Sequence, residues 1–158
     1  MKARSRKSGS GRGTSALLPI GLLIALLLFL KSQSTSASVP STIRSILKKN
    51  GFSDRMGTWW VAISNLETGK WTSNLFRNYN NLFGMKQPLS RFTYSMGASP
   101  TGYATFATIA DSVEDIVAYM NQRLYPKDFD SVDALVAFMK SKGYFEDPDY
   151  LNKVKSRL

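Results

Sequence analysis

The sequence predicts an α+β domain that is mostly helical, with one small hairpin or irregular lobe, preceded by a single N-terminal transmembrane helix. Three observations carry this reading. Residues 16–30 form an unbroken apolar run. Beyond it, apolar residues recur at intervals of three and four in four separate stretches, the helical period. Only residues 88–108 combine two β-prone runs with a Pro/Gly turn between them.

The apolar run, Ala16 to Leu30, has no polar face and is therefore not the buried side of an amphipathic helix. Its length lies between a signal-peptide core and a bilayer span, and Thr14 and Ser15 extend it toward the latter. Lys2, Arg4, Arg6, Lys7 and Arg12 precede it, which predicts a cytoplasmic N-terminus. The alternative is a cleaved signal peptide with a weak site near Ser36-Ala37-Ser38. The dominance of Leu and the immediately following Lys31 favour an uncleaved anchor. The chain then divides into a basic cytoplasmic tail (1–15), a signal anchor (16–31), a Ser-rich linker (32–38) and a folded domain (39–158) facing away from the cytoplasm, in the periplasm, outside the cell or at a virion membrane.

In the folded domain, Ser41 or Thr42 caps a short helix through Lys49, with Ile43, Ile46 and Leu47 on its apolar side, and Asn50-Gly51 stops it. A second helix runs from Ser53 or Asp54 to Leu66, with Trp59, Trp60, Ile63 and Leu66 in register, and Gly69 ends it. Thr72 to Tyr79 predicts another short helix, followed by a loop to Lys86. Residues 92–96 and 103–108 are extended runs around Gly-Ala-Ser-Pro-Thr-Gly. A further helix starts at Asp111-Ser112 and reaches Arg123, with Ser112 and Asp115 as a capping box. Residues 131–142 give the next helix, capped by Asp130 or Ser131, and a last one starts near Pro148, capped by Asp147-Pro148.

The chain has no His and no Cys. That excludes a Ser-His triad, a thiol nucleophile and a zinc-thiolate centre, and no metal or organic cofactor is implied. The net charge is +10, but residues 1–31 hold six of the 21 basic residues and no acid, so the rest carries only +4. No basic stripe interleaved with aromatics remains there, so nucleic acid is not an expected partner. Carboxylates are left as the obvious acid–base groups. Glu67 falls in the last turn of the second helix, where the negative end of the helix dipole opposes a second negative charge. With partial burial its pKa should rise, so that it can hold a proton near neutral pH. Periodicity alone also fits an ordinary solvated helix-end glutamate.

Three blocks in order carry a family resemblance: Leu66-Glu67-Thr68-Gly69 with Trp71 and Asn80-Asn81-Leu82-Phe83-Gly84-Met85-Lys86; Asp111-Ser112-Val113 with Asp115; and Gly143-Tyr144-Phe145-Glu146-Asp147-Pro148-Asp149-Tyr150. Together they resemble the glucosaminidase family of peptidoglycan hydrolases, which includes the flagellar muralytic domain and many autolysins. The resemblance covers about residue 59 to the C-terminus. It implies a lysozyme-like fold with a groove for a peptidoglycan glycan strand. It implies Glu67 as general acid, Tyr144 as an active-site tyrosine, and Asn81 and Phe83 shaping the groove, with Trp71 and Tyr103 as further substrate contacts.

One departure stands out. In many relatives a second acid lies in the hairpin lobe, yet no Asp or Glu occurs between Glu67 and Asp111. Asp111 and Glu114 are the nearest in sequence, and both also read as capping residues. A single-acid route is chemically available, in which the substrate's 2-acetamido oxygen attacks and Glu67 acts first as acid and then as base. Tyr144 or Tyr103 would then steady the positive charge. Three functions follow: hydrolysis of the β-1,4 bond between N-acetylglucosamine and N-acetylmuramic acid, lytic transglycosylation to 1,6-anhydro products, or glycan binding without catalysis. A wall enzyme tethered to a membrane suits an envelope-spanning or a virion assembly, and the sequence leaves both open.

Overall fold

The Ser53 hydroxyl accepts the Met56 amide and starts the central helix, so the cap predicted there holds. In this computed structural model, which describes residues 39–158, the chain is already helical at residue 39 and remains so to 49 (α1), one turn earlier than Ser41 or Thr42 implied. Val39, Ile43 and Leu47 are its buried face. Then follow α2 (Asp54–Glu67), α3 (Asn74–Tyr79), a two-stranded sheet of β1 (Gly97–Ala98) and β2 (Ala104–Thr105), α4 (Ile109–Gln122), α5 (Val132–Ser141) and α6 (Tyr150–Lys155). No described helix is long and apolar enough to cross a membrane. The expected anchor at 16–31 lies outside the described residues.

The core gathers on α2. Trp60, fully buried, meets Phe83 edge-on at 5.5 Å and Tyr144 at 5.9 Å. Ile116 and Met120 of α4 and Leu135 and Met139 of α5 complete the same apolar cluster, as their spacing predicted. Helix α6 packs against both α2 and α5, which brings the end of the described chain to the end of α2.

After α2 the backbone makes a left-handed turn in which Gly69, Lys70 and Trp71 have φ of 55°, 61° and 59°. For Lys70 and Trp71 this costs roughly 1–2 kcal/mol each. Thr68, almost fully buried, offsets it: its hydroxyl donates to Ser64 O at 2.6 Å and accepts the Trp71 amide at 2.9 Å. This turn displaces the next helix, which begins at Asn74 rather than Thr72 because Ser73 caps it through Phe76 N.

The hairpin is shorter than its β-prone runs suggested. Strands β1 and β2 are antiparallel, with Gly97 opposite Thr105 and Ala98 opposite Ala104, and Lys86 bridges to Tyr103 alongside. Residues 92–96 form no strand: the Thr93 hydroxyl and the Tyr94 amide turn to Asp115, while the Met96 amide donates to Thr105 O at 2.8 Å. Asp115 is fully buried and receives Arg91 Nη1 and Nη2 at 3.0 and 2.6 Å, the Thr93 hydroxyl at 2.6 Å and the Tyr94 amide at 3.1 Å.

That finding corrects the expected start of α4. Ser112 and Asp115 form no capping box. Ser112 is buried and accepts the Leu82 amide at 3.0 Å. The box lies one turn earlier, where Thr108 and Asp111 bond each other's backbone amides. Helix α6 also starts later than Pro148. Asp147 gives it no side-chain cap but accepts the Asp149 amide at 2.9 Å.

Candidate active site

Glu67 is the last residue of α2, with no basic side chain in that turn. It is half-buried, and burial raises its pKa, opposed by one hydrogen bond from Tyr150. The Tyr150 hydroxyl donates to Glu67 Oε1 at 2.7 Å. Tyr150 opens α6, is 5% exposed, and stacks on Phe145 with centroids 3.9 Å apart. Burial and the neighbouring Glu67 charge push the Tyr150 pKa upward, so the phenol remains a proton donor to the carboxyl oxygen.

The other oxygen of Glu67 faces Gly84. A Cβ at Gly84, whose φ is +61°, would stand 3.2 Å from Oε2. The bare glycine thus leaves that oxygen open toward a cleft of about 410 Å³ bounded by Glu67, Gly84, Tyr144, Glu146, Asp147 and Tyr150. Oε1 is thus engaged by Tyr150, while Oε2 is the oxygen beside Gly84.

Each expected site residue has a definite place. Tyr144 lines the cleft, but its hydroxyl points inward and donates to Phe83 O at 3.0 Å, and burial raises its pKa well above the phenol range. Phe83 borders the cleft but is only 2% exposed and belongs to the core. Asn81 is fully buried. Its amide nitrogen donates to Met85 O and Ala104 O, both at 2.9 Å, and its oxygen accepts the Phe83 and Met85 amides at 3.3 and 3.1 Å. Neither side-chain polar atom of Asn81 is left for a ligand; it shapes the Phe83-Gly84-Met85 turn from beneath. Trp71 lies outside the cleft, packed on the core with Nε1 donating to Ser64 Oγ at 3.1 Å. Tyr103 is also outside it, on the hairpin, with Lys86 Nζ 3.4 Å from its ring centre.

The cleft does contain further carboxylates, contributed by the segment before α6 rather than by the hairpin. Asp147 is ion-paired with Lys153, which lowers its pKa. Glu146 is exposed and has no hydrogen-bond or ion-pair partner among the described residues. Asp111 and Glu114 serve elsewhere, Asp111 in the α4 cap and Glu114 as an acceptor from Asn50 at 3.5 Å. Tyr150 and Glu146 were missed as site residues, although both stand in the third sequence block; only the packing of α6 on α2 brings them to Glu67.

A family model described as mannosyl-glycoprotein endo-β-N-acetylglucosaminidase matches residues 55–158, from the first turn of α2 onward. The chain belongs to the glucosaminidase family. Membership marks it, in general terms, as a glycoside hydrolase of the peptidoglycan-degrading kind. The glucosaminidase domain is also similar to a chain in the structure of a type VI secretion system effector–immunity complex from Pseudomonas protegens. The TM-score is 0.59 at 15% identity, with 78% of this chain and 91% of that chain covered. At that identity the likeness concerns the fold, and the mostly helical architecture with a small hairpin is consistent with a lysozyme-like one. No curated protein sequence matches the chain.

Proposed function

We propose that this glucosaminidase domain hydrolyses the β-1,4 bond between N-acetylglucosamine and N-acetylmuramic acid, with Glu67 as the general acid. The observation that carries the reading is the asymmetric setting of the Glu67 carboxyl. Oε1 is held by Tyr150 at 2.7 Å, and Oε2 looks past Gly84 into the cleft. Burial favours the protonated form, so a proton is available on Oε2 for the leaving glycosidic oxygen. As that bond breaks, Glu67 becomes an anion, and the Tyr150 hydrogen bond strengthens onto it.

Glu146 is the carboxylate best placed to assist the second half of the reaction, since it borders the same cleft without a partner of its own. In a two-carboxylate scheme it would direct water or meet the developing positive charge. The acid-free hairpin thus no longer requires a substrate-assisted route, though the substrate's acetamido group remains chemically competent for it. The basic residues before the apolar run 16–30 support a signal anchor with the domain on the far side of the membrane, where peptidoglycan lies.

The test is digestion of purified peptidoglycan by the detergent-solubilised full chain, wild type and Glu67→Gln, with mass spectrometry of the products. Reducing N-acetylglucosamine ends that disappear in the variant are expected. Anhydro-muramic ends would reassign the enzyme as a lytic transglycosylase. Wall binding without products from the wild type would make it a binding module.

A further inference from the structure

Six large apolar side chains stand out as exposed among the described residues, and four of them fall within eight consecutive positions: Leu89, Phe92, Tyr94 and Met96. Phe92 and Met96 are each 68% exposed and Leu89 is fully so. This segment is not loose at its base. The four hydrogen bonds to buried Asp115 pin residues 91–94. Ser95 Oγ is tied to Gln87, Gly97 and Thr105 at 2.5–3.1 Å. A buried carboxylate costs several kcal/mol in desolvation unless it is fully paired, so the fold commits a buried ion pair to a loop that points apolar groups at solvent. Phe92 and Tyr94 already meet edge to face, with centroids 5.0 Å apart.

The stretch of chain that carries this loop is one-sided in charge. Between Thr68 and Ala110 there are four basic residues and no acid. At the base of the loop is a cleft of about 560 Å³ whose lining includes Leu89, Lys86, Arg91 and Arg123. Arg91 is neutralised by Asp115. Lys86 and Arg123 have no carboxylate partner among the described residues and lie over tyrosine rings, Tyr103 at 3.4 Å and Tyr119 at 5.8 Å. Leu124, next in the chain to Arg123, is 80% exposed with φ of 57°.

We propose that this face seats on an anionic lipid surface. Leu89, Phe92, Met96 and Leu124 enter the boundary between headgroups and acyl chains, Tyr94 lies at headgroup depth, and Lys86 and Arg123 meet lipid phosphates. Leu and Met offer no flat platform for a sugar, and the unpaired cations complement an anionic surface. Reach agrees: only residues 31–38 separate the apolar run from α1, and eight residues span at most about 29 Å even if fully extended. That last point rests on the anchor reading above. An enzyme seated this way works on the glycan nearest the bilayer.

The absence of Cys gives a clean test. Leu89→Cys, Phe92→Cys and Met96→Cys are made in the full chain, with Ala137→Cys on the exposed side of α5 as control. Each is labelled with an environment-sensitive fluorophore and reconstituted into phosphatidylglycerol–phosphatidylcholine vesicles carrying nitroxide-labelled acyl chains. The loop labels are expected to blue-shift and be quenched, the Ala137→Cys label not. Adding Lys86→Ala and Arg123→Ala should weaken the loop response, about 5-fold in apparent affinity per cation removed. Loop labels as water-exposed as the control on vesicle-bound chain would overturn the proposal. So would labels that respond to soluble muropeptides but not to lipid. An alkaline carbonate wash strips a peripheral chain and spares a spanning one, so loss of the anchor reading is scored separately from loss of docking.

Discussion

The Tyr150 hydroxyl reaches Glu67 Oε1 at 2.7 Å, from a residue 83 positions later in the chain. The link engages one carboxyl oxygen, and it opposes the rise in pKa that burial imposes on Glu67; under the proposed function it leaves Oε2 to carry the proton. Tyr150→Phe keeps the ring that stacks on Phe145 but removes this bond. Turnover should drop about ten-fold to a hundred-fold, the worth of a hydrogen bond to a charged group. The alkaline limb of the pH–rate profile should move to higher pH, because the interaction that lowers the Glu67 pKa is gone. A profile that keeps its position would show that the bond has no bearing on the acid.

Glu67→Gln should lower turnover by about 10²–10⁴, the usual contribution of a general acid, without loss of stability. The sign follows from linkage. Glu67 has a folded pKa above its ordinary value of 4.5, so the folded state binds the proton more tightly, and stability falls as pH rises from that value through the folded pKa. Gln carries no such penalty. Thermal melts should place the variant at or above wild type at pH 8, with the difference shrinking at about pH 4.

Gly84→Ala combines two effects. Its positive φ costs roughly 1–2 kcal/mol for a side chain, and the new methyl stands 3.2 Å from Glu67 Oε2. Activity per folded molecule should therefore fall further than urea denaturation accounts for. Equal losses in both measurements would mean that Oε2 is not the working atom.

Asp115→Ala should destabilise the domain by about 3–5 kcal/mol, because it leaves Arg91 unpaired at a largely buried site. Urea unfolding gives the value directly. A loss below about 1 kcal/mol would show the 91–95 segment to be held by other means.

Lys70→Gly should work in the opposite direction. Lys70 has φ of 61° within the left-handed turn after α2. Relief of that strain predicts a gain of about 1 kcal/mol in the same assay.

Local rules located most of the helices. Ser53 and Ser131 cap where an N-cap should, and the apolar stripes of α2, α4 and α5 face the core. The same rules misplaced the start of α4, because Thr108-x-x-Asp111 and Ser112-x-x-Asp115 both fit a capping box. What separates them is burial of Asp115 under Arg91, a contact 24 residues apart that no local window contains. In the β-prone run 92–96, Thr93 and Tyr94 turn to the same buried carboxylate. At the site, Glu67 was legible as a helix-end acid and Gly84 as part of a motif. The resemblance implied that Asn81 shapes the groove, and burial turned its side-chain hydrogen bonds inward, onto the turn beneath it. Tyr150 and Glu146 depend on α6 packing against α2, and so became site residues only in three dimensions.

The bond between the end of α2 and the start of α6 also sets an order in biosynthesis. Chains emerge from the ribosome N-terminus first, so under the export proposed above Glu67 would cross with its carboxyl unsupported until the residues around Tyr150 follow. A nascent chain still threading outward holds its acid but not the groups that orient it. If Glu67 is the general acid proposed above, the capacity to cut wall polymer would be withheld until nearly all of the domain has emerged, a timing safeguard written into the tertiary structure.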